Sequence, residues 1–263
     1  MKKDPLVTVV TPSYNQSAYL EETILSVLEQ DYKNIQYVVI DGGSSDGSVD
    51  ILEKYEGRIS HWISEKDRGQ TDAINKGFAL AEGEIICWLN SDDTFLPNAV
   101  SQAVEYLSDH PDVGLVYGDA NYIDGHSSVI GKFPAAQTSL KKLKRGYVHI
   151  PQQASFFRKP LWDQVGPLDP KYFFAMDYDL WVRLASVSRI VYLPRTWANF
   201  RLHADAKTIS ADDRCWPEMI KVHNREGGSW FSLIVFKHYL RKLAAPIIRY
   251  KRRKLFSTEK KRN

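Results

Sequence analysis

The chain has 263 residues, 43% apolar, 25% charged and 12% aromatic, an ordinary globular balance that excludes a disordered, collagen-like or coiled-coil chain. Cys87 and Cys215 stand far apart with no CxxC or Cys/His cluster, which excludes a zinc module and a disulfide framework and points to a reduced, cytoplasmic chain. The net charge of +3 conceals an asymmetry: residues 221–263 hold thirteen Lys or Arg against two Glu, a net +11, so residues 1–220, with 22 basic and 30 acidic side chains, carry −8.

The apolar run 6–10 is too short for the core of a signal peptide and ends at Thr11-Pro12, so no export signal is predicted. From there to residue 118, β-branched runs alternate with helical stripes, as in βαβ units that build a parallel sheet. The strands fall at 6–11, 35–41, 59–64, 84–89 and 113–118. Between them Leu20, Ile24, Val27 and Leu28 keep helical spacing, as do Val49, Leu52 and Tyr55, then Ala73, Ile74, Phe78 and Ala81, then Val100, Val104 and Leu107. After Gly118 the winding becomes irregular. A hairpin is predicted around Asp124-Gly125, a basic segment follows at 141–145, and strands at 152–157, 190–193 and 197–201 enclose helices at 160–165 and 178–185. The stretch 230–248 is broken by Lys237, His238, Arg241 and Lys242, so it predicts an amphipathic, basic extension and no membrane span.

A parallel sheet binds ligands at the carboxyl ends of its strands. Here those ends read Thr11-Pro12-Ser13-Tyr14-Asn15, Asp41-Gly42-Gly43-Ser44-Ser45-Asp46-Gly47, Glu65-Lys66-Asp67-Arg68-Gly69-Gln70 and Asn90-Ser91-Asp92-Asp93. Each alone is ordinary turn and N-cap chemistry; together they make one polar rim. No GxGxxG follows the first strand and no GxxxxGK[ST] occurs, so a dinucleotide fingerprint and a P-loop are both excluded. A divalent cation on carboxylate oxygens is the other way to hold phosphates, and Asp92-Asp93 offers that site. Adjacent carboxylates repel unless a cation, a helix N-terminus or a proton relieves them. The competing reading of Asp93 is a helix-initiating residue.

These motifs, with Val39-Ile40-Asp41-Gly42-Gly43-Ser44-Ser45-Asp46-Gly47, Gly69-Gln70-Thr71-Asp72-Ala73-Ile74-Asn75-Lys76-Gly77, Trp88-Leu89-Asn90-Ser91-Asp92-Asp93, Pro151-Gln152-Gln153-Ala154-Ser155-Phe156-Phe157-Arg158 and Met176-Asp177-Tyr178-Asp179-Leu180-Trp181-Val182-Arg183-Leu184, resemble in order those of the family 2 glycosyltransferases over residues 5–210. The resemblance implies the α/β GT-A fold, a Rossmann-like and mostly parallel sheet with helices on both faces. It implies inverting transfer of a sugar from a nucleoside diphosphate donor, UDP-sugar foremost, to an acceptor hydroxyl, with Mn²⁺ or Mg²⁺. Carried over by position, Thr11, Pro12, Tyr14, Asp41, Gly69, Asp72, Asn75, Ser91 and Asp92 line the nucleotide-sugar, with Asp41 accepting from a nucleobase N–H and Gly77 beside Asn75 in the pocket. Asp93 and Asp92, with His203, fall at the metal. Asp177 stands where the family keeps its general base, and Gln152, Gln153, Trp181 and Arg183 support the acceptor side.

Two departures stand out: Asn90 replaces an acid that often opens the metal motif, and Met176 replaces the acid before the base. Asp177 reads alternatively as the N-cap of a helix beginning at Tyr178, His203 as a structural histidine, and Arg183 as an i,i+4 partner of Asp179.

The expected organisation is a glycosyltransferase domain over 1–215, with its nucleotide-sugar half at 1–93 and its acceptor half at 94–215, then the basic extension 216–263. That extension predicts peripheral contact with an anionic membrane at the inner face of the cell membrane rather than nucleic acid, since the rest of the chain is acidic. A hexosyltransferase of surface-polysaccharide or glycan assembly, acting on a glycan or lipid-linked acceptor, is the leading reading. A nucleotidyltransferase or sugar-phosphate enzyme of similar layout, and a non-catalytic nucleotide-sugar-binding protein, are the alternatives.

Overall fold

Strand residues alternate between two buried faces, and this decides the layering. The computed structural model describes residues 4–203, 212–229, 231–232, 234–236 and 238–240. In β1 (Val7–Ser13) Val7 and Val9 enter one core and Val10 the other; in β2 (Ile35–Asp41) Tyr37 and Val39 oppose Val38 and Ile40; in β4 (Ile85–Trp88) Ile85 and Cys87 oppose Ile86 and Trp88. A strand buried on both sides needs cover on both, and helices supply it. On the first face lie α1 (Leu20–Leu28), α2 (Ser48–Lys54) and α4 (Ala99–Asp109). Against the second lie α3 (Gln70–Ala79), α5 (Leu140–Leu143), α6 (Lys159–Val165), α7 (Met176–Val187) and α8 (Asp212–Arg225), the last through Val222.

The remaining strands are β3 (His61–Ser64), β5 (Thr94–Phe95), β6 (Val113–Ile123), β7 (Val129–Lys132), β8 (Ser155–Arg158) and β9 (Arg189–Arg201). The sheet runs β3-β2-β1-β4-β8-β6-β9-β5, with β7 on β6. β3, β2, β1, β4, β6 and β9 point one way, while β8, β5 and β7 are antiparallel to their neighbours. This is the mostly parallel α/β sheet expected.

Several boundaries differ from the sequence reading, each for a tertiary reason. The strands expected at 190–193 and 197–201 are one, β9, because β6 pairs along its whole length with register shifts that absorb Pro194 and its neighbours. Residues 152–154 form a 3₁₀ turn before β8 begins at Ser155. The helix expected from Tyr178 starts at Met176 with Ala175 as its cap. Asp177 therefore lies inside the first turn and is not the N-cap.

No break occurs at residue 215, which lies inside α8, a helix continuous with the second core. The Arg249–Lys254 cluster lies outside the described residues. Neither cysteine forms a disulfide, and Cys87 is buried.

Candidate functional site

The carboxyl ends of β1, β2 and β4 are held in place mainly by their own polar side chains. Asp41, at the end of β2, is fully buried and accepts from Gly43 N (3.1 Å), Ser44 N (2.8 Å), Ser44 Oγ (2.6 Å) and Ser64 Oγ (2.8 Å). Its oxygens organise the Gly-rich turn. Asp46 ties that turn to the exit of β1 by accepting from Ser17 N and from both N and Oγ of Ser48. Burial pushes its carboxyl up, and the hydrogen bonds from Ser48 and Ser17 more than reverse this, to about 2. Asn15, at φ +51°, exchanges hydrogen bonds with Ser44 and Ser45. Tyr14 projects outward beside it, while Pro12 is buried and Thr11 Oγ1 meets Tyr37 Oη inside the core at 3.1 Å.

Asp67 was not singled out by the motif reading, although it belongs to a quoted strand end. Its Oδ2 stands 2.9 Å from where a Cβ on Gly42 would be, so the absence of a side chain at 42 makes room for this carboxylate. Asp67 also accepts from Gly69 N at 2.7 Å, fixing the φ +105° residue that caps α3. Asp72, in the first turn of α3, is held by Arg68 at 2.7 Å, and that bond lowers its pKa. Asn75 forms a two-way amide pair with the Leu168 backbone (2.9 and 3.0 Å), and a Cβ on Gly77 would strike Val10 Cγ1 at 2.3 Å. Both therefore bind α3 to its neighbours.

Asn90 is the hub after β4. Its Oδ1 accepts from Gln70, and its Nδ2 donates to Asp93 Oδ2 (3.2 Å) and Gln152 Oε1 (3.3 Å); Gln152 Nε2 donates to Trp88 O (2.6 Å). An amide serves both a donor and an acceptor here, which a carboxylate cannot, and this gives the replacement at 90 a physical reason. Asp93 is 1% exposed, and its Oδ1 accepts from Arg201 N. Burial, then the adjacent Asp92 carboxylate, push Asp93 well above the usual carboxylate range. Its oxygens are turned into the protein.

Asp92 is the more open of the pair, with Oδ2 3.1 Å from His203 Nε2. His203 lies against the Tyr19 ring at 4.8 Å, and Ser91 is buried. Beneath them sits Arg201, which sequence reasoning passed over although it lies two residues before His203. Fully buried, it donates to Asp92 O, Asp124 O, Ser127 Oγ and Glu22 Oε2, and its guanidinium stacks 4.7 Å from the Tyr19 ring. The terminus of β9 is thereby locked to the loop after β4.

Among the described residues no three His, Cys, Asp or Glu side chains converge on one metal position. Asp92 and His203 form a two-donor set. It fits a cation whose other positions are taken by diphosphate oxygens and water.

Asp177 is half-buried in the first turn of α7, where its Oδ1 accepts from Tyr178 N at 2.7 Å. Thr71 Oγ1 lies 2.9 Å from Met176 Sδ and bonds the first turns of α3 and α7. Glu218, from α8, accepts from Phe174 N (2.6 Å) and Ala175 N (3.0 Å), the backbone groups at the entry of α7. Asp179 is buried between Arg183 (2.8 Å) and Arg225. Trp181 stacks on Trp88 at 5.6 Å inside the core, and Gln153 is buried with an Nε2 that makes no hydrogen bond within the protein. Arg183 also donates to the carbonyls of Val165, Gly166 and Pro167, which ties α7 to the end of α6.

The profile of "Glycosyl transferase family 2" matches residues 8–165. The glycosyltransferase Rv1514c of Mycobacterium tuberculosis is 38% identical over 190 residues, 71% of either chain. RT0329 of Rickettsia typhi, also named a glycosyltransferase, is 32% identical over 215 residues, 78% of this chain and 66% of that one. Among solved structures, S. aureus TarS 1–349 in complex with UDP-GlcNAc superposes with a TM-score of 0.70 at 18% identity, covering 84% of this chain and 66% of TarS 1–349. The mannosyltransferase PcManGT of Pyrobaculum calidifontis, in complex with GDP-Man and Mn²⁺, gives 0.63 at 20% identity, covering 90% and 70%. Their shared fold is the GT-A type.

Proposed function

The chain belongs to glycosyl transferase family 2, and we propose that it moves a sugar from a UDP-sugar to an acceptor hydroxyl with inversion at the anomeric carbon. The observation that carries this reading is the bond between the first turns of α3 and α7, which joins the donor-side strand ends to the turn that bears Asp177. The nucleotide-sugars in TarS and PcManGT support the donor class. Asp177 takes the proton of the acceptor hydroxyl as its oxygen attacks the anomeric carbon; the bond from that carbon to the diphosphate breaks, and the nucleoside diphosphate leaves. Inversion needs this one base and no second catalytic carboxylate.

A divalent cation, Mn²⁺ or Mg²⁺, held by Asp92 and His203 would neutralise charge on the leaving diphosphate. Asp93 acts from within: it positions Asp92 and the β9 terminus instead of offering its own oxygens. For the base, Asp41 shapes the receiving turn, Tyr14 borders it, and Asp67 supplies the acceptor for an N–H that Asp41, with its oxygens already engaged, does not. Gln152 and Gln153 line the approach of the acceptor. We place the enzyme in surface-polysaccharide or glycan assembly, with the basic residues beyond 240 as a peripheral membrane contact; no helix among the described residues is long and apolar enough to cross a membrane.

The test is product analysis with UDP- and GDP-sugars, each with Mn²⁺ or Mg²⁺. Release of the free nucleoside diphosphate, with a β-linked product from an α-linked donor, is expected. Pyrophosphate release would overturn sugar transfer in favour of nucleotidyl transfer, and retained anomeric configuration would overturn the role given to Asp177.

A further inference from the structure

Beyond α8 the chain buries two apolar residues, one of them against the turn that follows α5. Ile234 and Val235 are buried, and a Cβ on Gly146, just after α5, would come within 2.2 Å of Ile234 Cδ1. This segment, the end of α8 and α5 line an open recess of about 660 Å³. Lys141, Lys144 and Arg145 line one wall; Ser229 and Ser232 line the other, with Glu226 the sole carboxylate among the lining residues. Glu226 is already paired with Lys144 at 3.2 Å, whereas Lys141 and Arg145 have no acidic partner among the described residues. The Oγ of Ser232 is buried without a hydrogen bond. His223 fastens the two walls, its ring nitrogens set against Lys144 O (2.6 Å) and Ser229 O (3.4 Å). This is a preformed cationic recess with an unused hydroxyl, outside the donor site.

Its rim is apolar. Phe231 is 99% exposed, Phe236 59%, Tyr239 52% and Leu240 49%. Residues 234–236 and 238–240 are helical, so Phe236, Tyr239 and Leu240, at i, i+3 and i+4, share one helical face. Docking of Ile234 and Val235 turns that face outward. Large exposed apolar side chains grouped beside cations mark an interaction surface. The sequence that follows, residues 241–263, carries ten Lys or Arg and one Glu, a further +9.

We propose that this surface seats on an anionic phospholipid bilayer, with a lipid phosphate in the recess of Lys141, Lys144 and Arg145 and with Phe231, Phe236, Tyr239 and Leu240 in the interfacial layer. A bilayer alone offers phosphate charge and apolar depth in one plane, as amphipathic interfacial segments require. A second copy of the chain does not complement it, because pairing this face with itself brings two +11 regions together. Nucleic acid offers phosphate charge but no apolar layer for Phe231, Phe236, Tyr239 and Leu240. The contact thus includes α5, not only the residues beyond 240. Tyr178 Oη donates to Leu143 O at 2.6 Å, which bonds α5 to the helix of Asp177; if Asp177 is the base, the membrane lies against the helix that receives the acceptor.

Cosedimentation of the full chain with phosphatidylcholine vesicles, with and without phosphatidylglycerol, tests this, and it reads binding alone, so its result is independent of the catalytic reading. Binding is expected only with phosphatidylglycerol, and salt should reverse it. The double variant Lys141→Ala/Arg145→Ala should lower the partition coefficient about 30-fold, at roughly fivefold per cation. Phe236→Ser/Tyr239→Ser should lower it by at least about tenfold. All four side chains are exposed, and an unchanged thermal melt checks that the variants fold. Wild-type binding that survives in both variants would assign attachment to residues beyond 240 and overturn the proposal. Equal binding to both vesicle types, or a dimer that the Phe236/Tyr239 variant makes monomeric in sedimentation equilibrium, would overturn it as well.

Discussion

The carboxylate of Glu218 accepts the main-chain N–H of Ala175 at 3.0 Å, so a residue of α8 satisfies the entry of the helix that carries Asp177. Phe174 N shares the same oxygen at 2.6 Å. A negative side chain at a helix N-terminus is favourable for both the dipole and the unpaired amides. The two amides it accepts directly precede Met176.

Glu218→Ala should therefore destabilise the protein by about 1–2 kcal/mol, the usual cost of losing such a cap. It should lower kcat more than it weakens nucleotide affinity, because the loosened turn bears Asp177 and none of the donor-side loops. Urea unfolding and steady-state kinetics check this; Glu218→Gln, which keeps one acceptor oxygen, should recover part of both losses. A chain ended at residue 211 should lose far more. It removes Val222 from the core and takes Arg225 away from the buried Asp179.

Asp92→Asn and Asp177→Asn should separate the two halves of the site. The first should weaken Mn²⁺-dependent binding of the nucleoside diphosphate and turnover together, and abolish the stabilisation of about 2.7 kcal/mol expected at a hundredfold excess of ligand over Kd. The second should cut turnover by ~10²–10⁴-fold, the worth of a general base, with nucleotide affinity unchanged. Calorimetry with and without Mn²⁺ beside a turnover assay distinguishes them; equal loss of binding in both would refute the division of roles.

Strands β1 to β4, the start of β6 and the first four helices were legible because each is a local pattern: β-branched runs, 3.6-residue stripes and polar strand ends. What escaped was decided by partners far along the chain. Strand β5 is two residues long and exists because β9 pairs with it. Thr11 and Asn75 belong to motifs of the donor site, yet their polar atoms meet Tyr37 and Leu168, 26 and 93 residues away. Arg201 reads as an ordinary strand-end cation until Glu22, Asp92, Asp124 and Ser127 surround it. Of the two adjacent carboxylates at 92 and 93, sequence showed the pair but not which one faces outward. The expected basic extension 216–263 overlaps α8, and no local signal announces Glu218 or Arg225 as the partners of α7.

Asn90→Asp tests the account of that departure. The new carboxylate would lose the donor that Asp93 accepts at 3.2 Å and set a second acid against a group already pushed up by burial and Asp92. Without metal the variant should be less stable by about 1–3 kcal/mol, the cost of an unsatisfied buried polar group. Mn²⁺ should restore more stability to the variant than to the parent. Chemical unfolding in EDTA and in Mn²⁺ reads both numbers; a variant as stable as the parent in EDTA would remove the reason offered for Asn90.

The last prediction concerns acid. Asp46 is depressed to about 2 in the folded chain, where Ser48 and Ser17 donate to it, against an ordinary value of 3.8. A carboxyl whose folded pKa is lowered binds fewer protons folded than unfolded. Its contribution is therefore complete above about pH 4 and is lost as the pH falls toward 2. Asp46→Asn should flatten the pH dependence of stability in that window and leave the dependence above pH 5 unaltered. The variant should also be less stable at neutral pH, because Ser17 N and the Ser48 hydroxyl lose a charged acceptor and the turn after β2 loses its tie to the exit of β1. Thermal melts of parent and variant from pH 2 to pH 7 measure the difference. Parallel curves through the acid range would show that the Asp46 hydrogen bonds do not hold the turn.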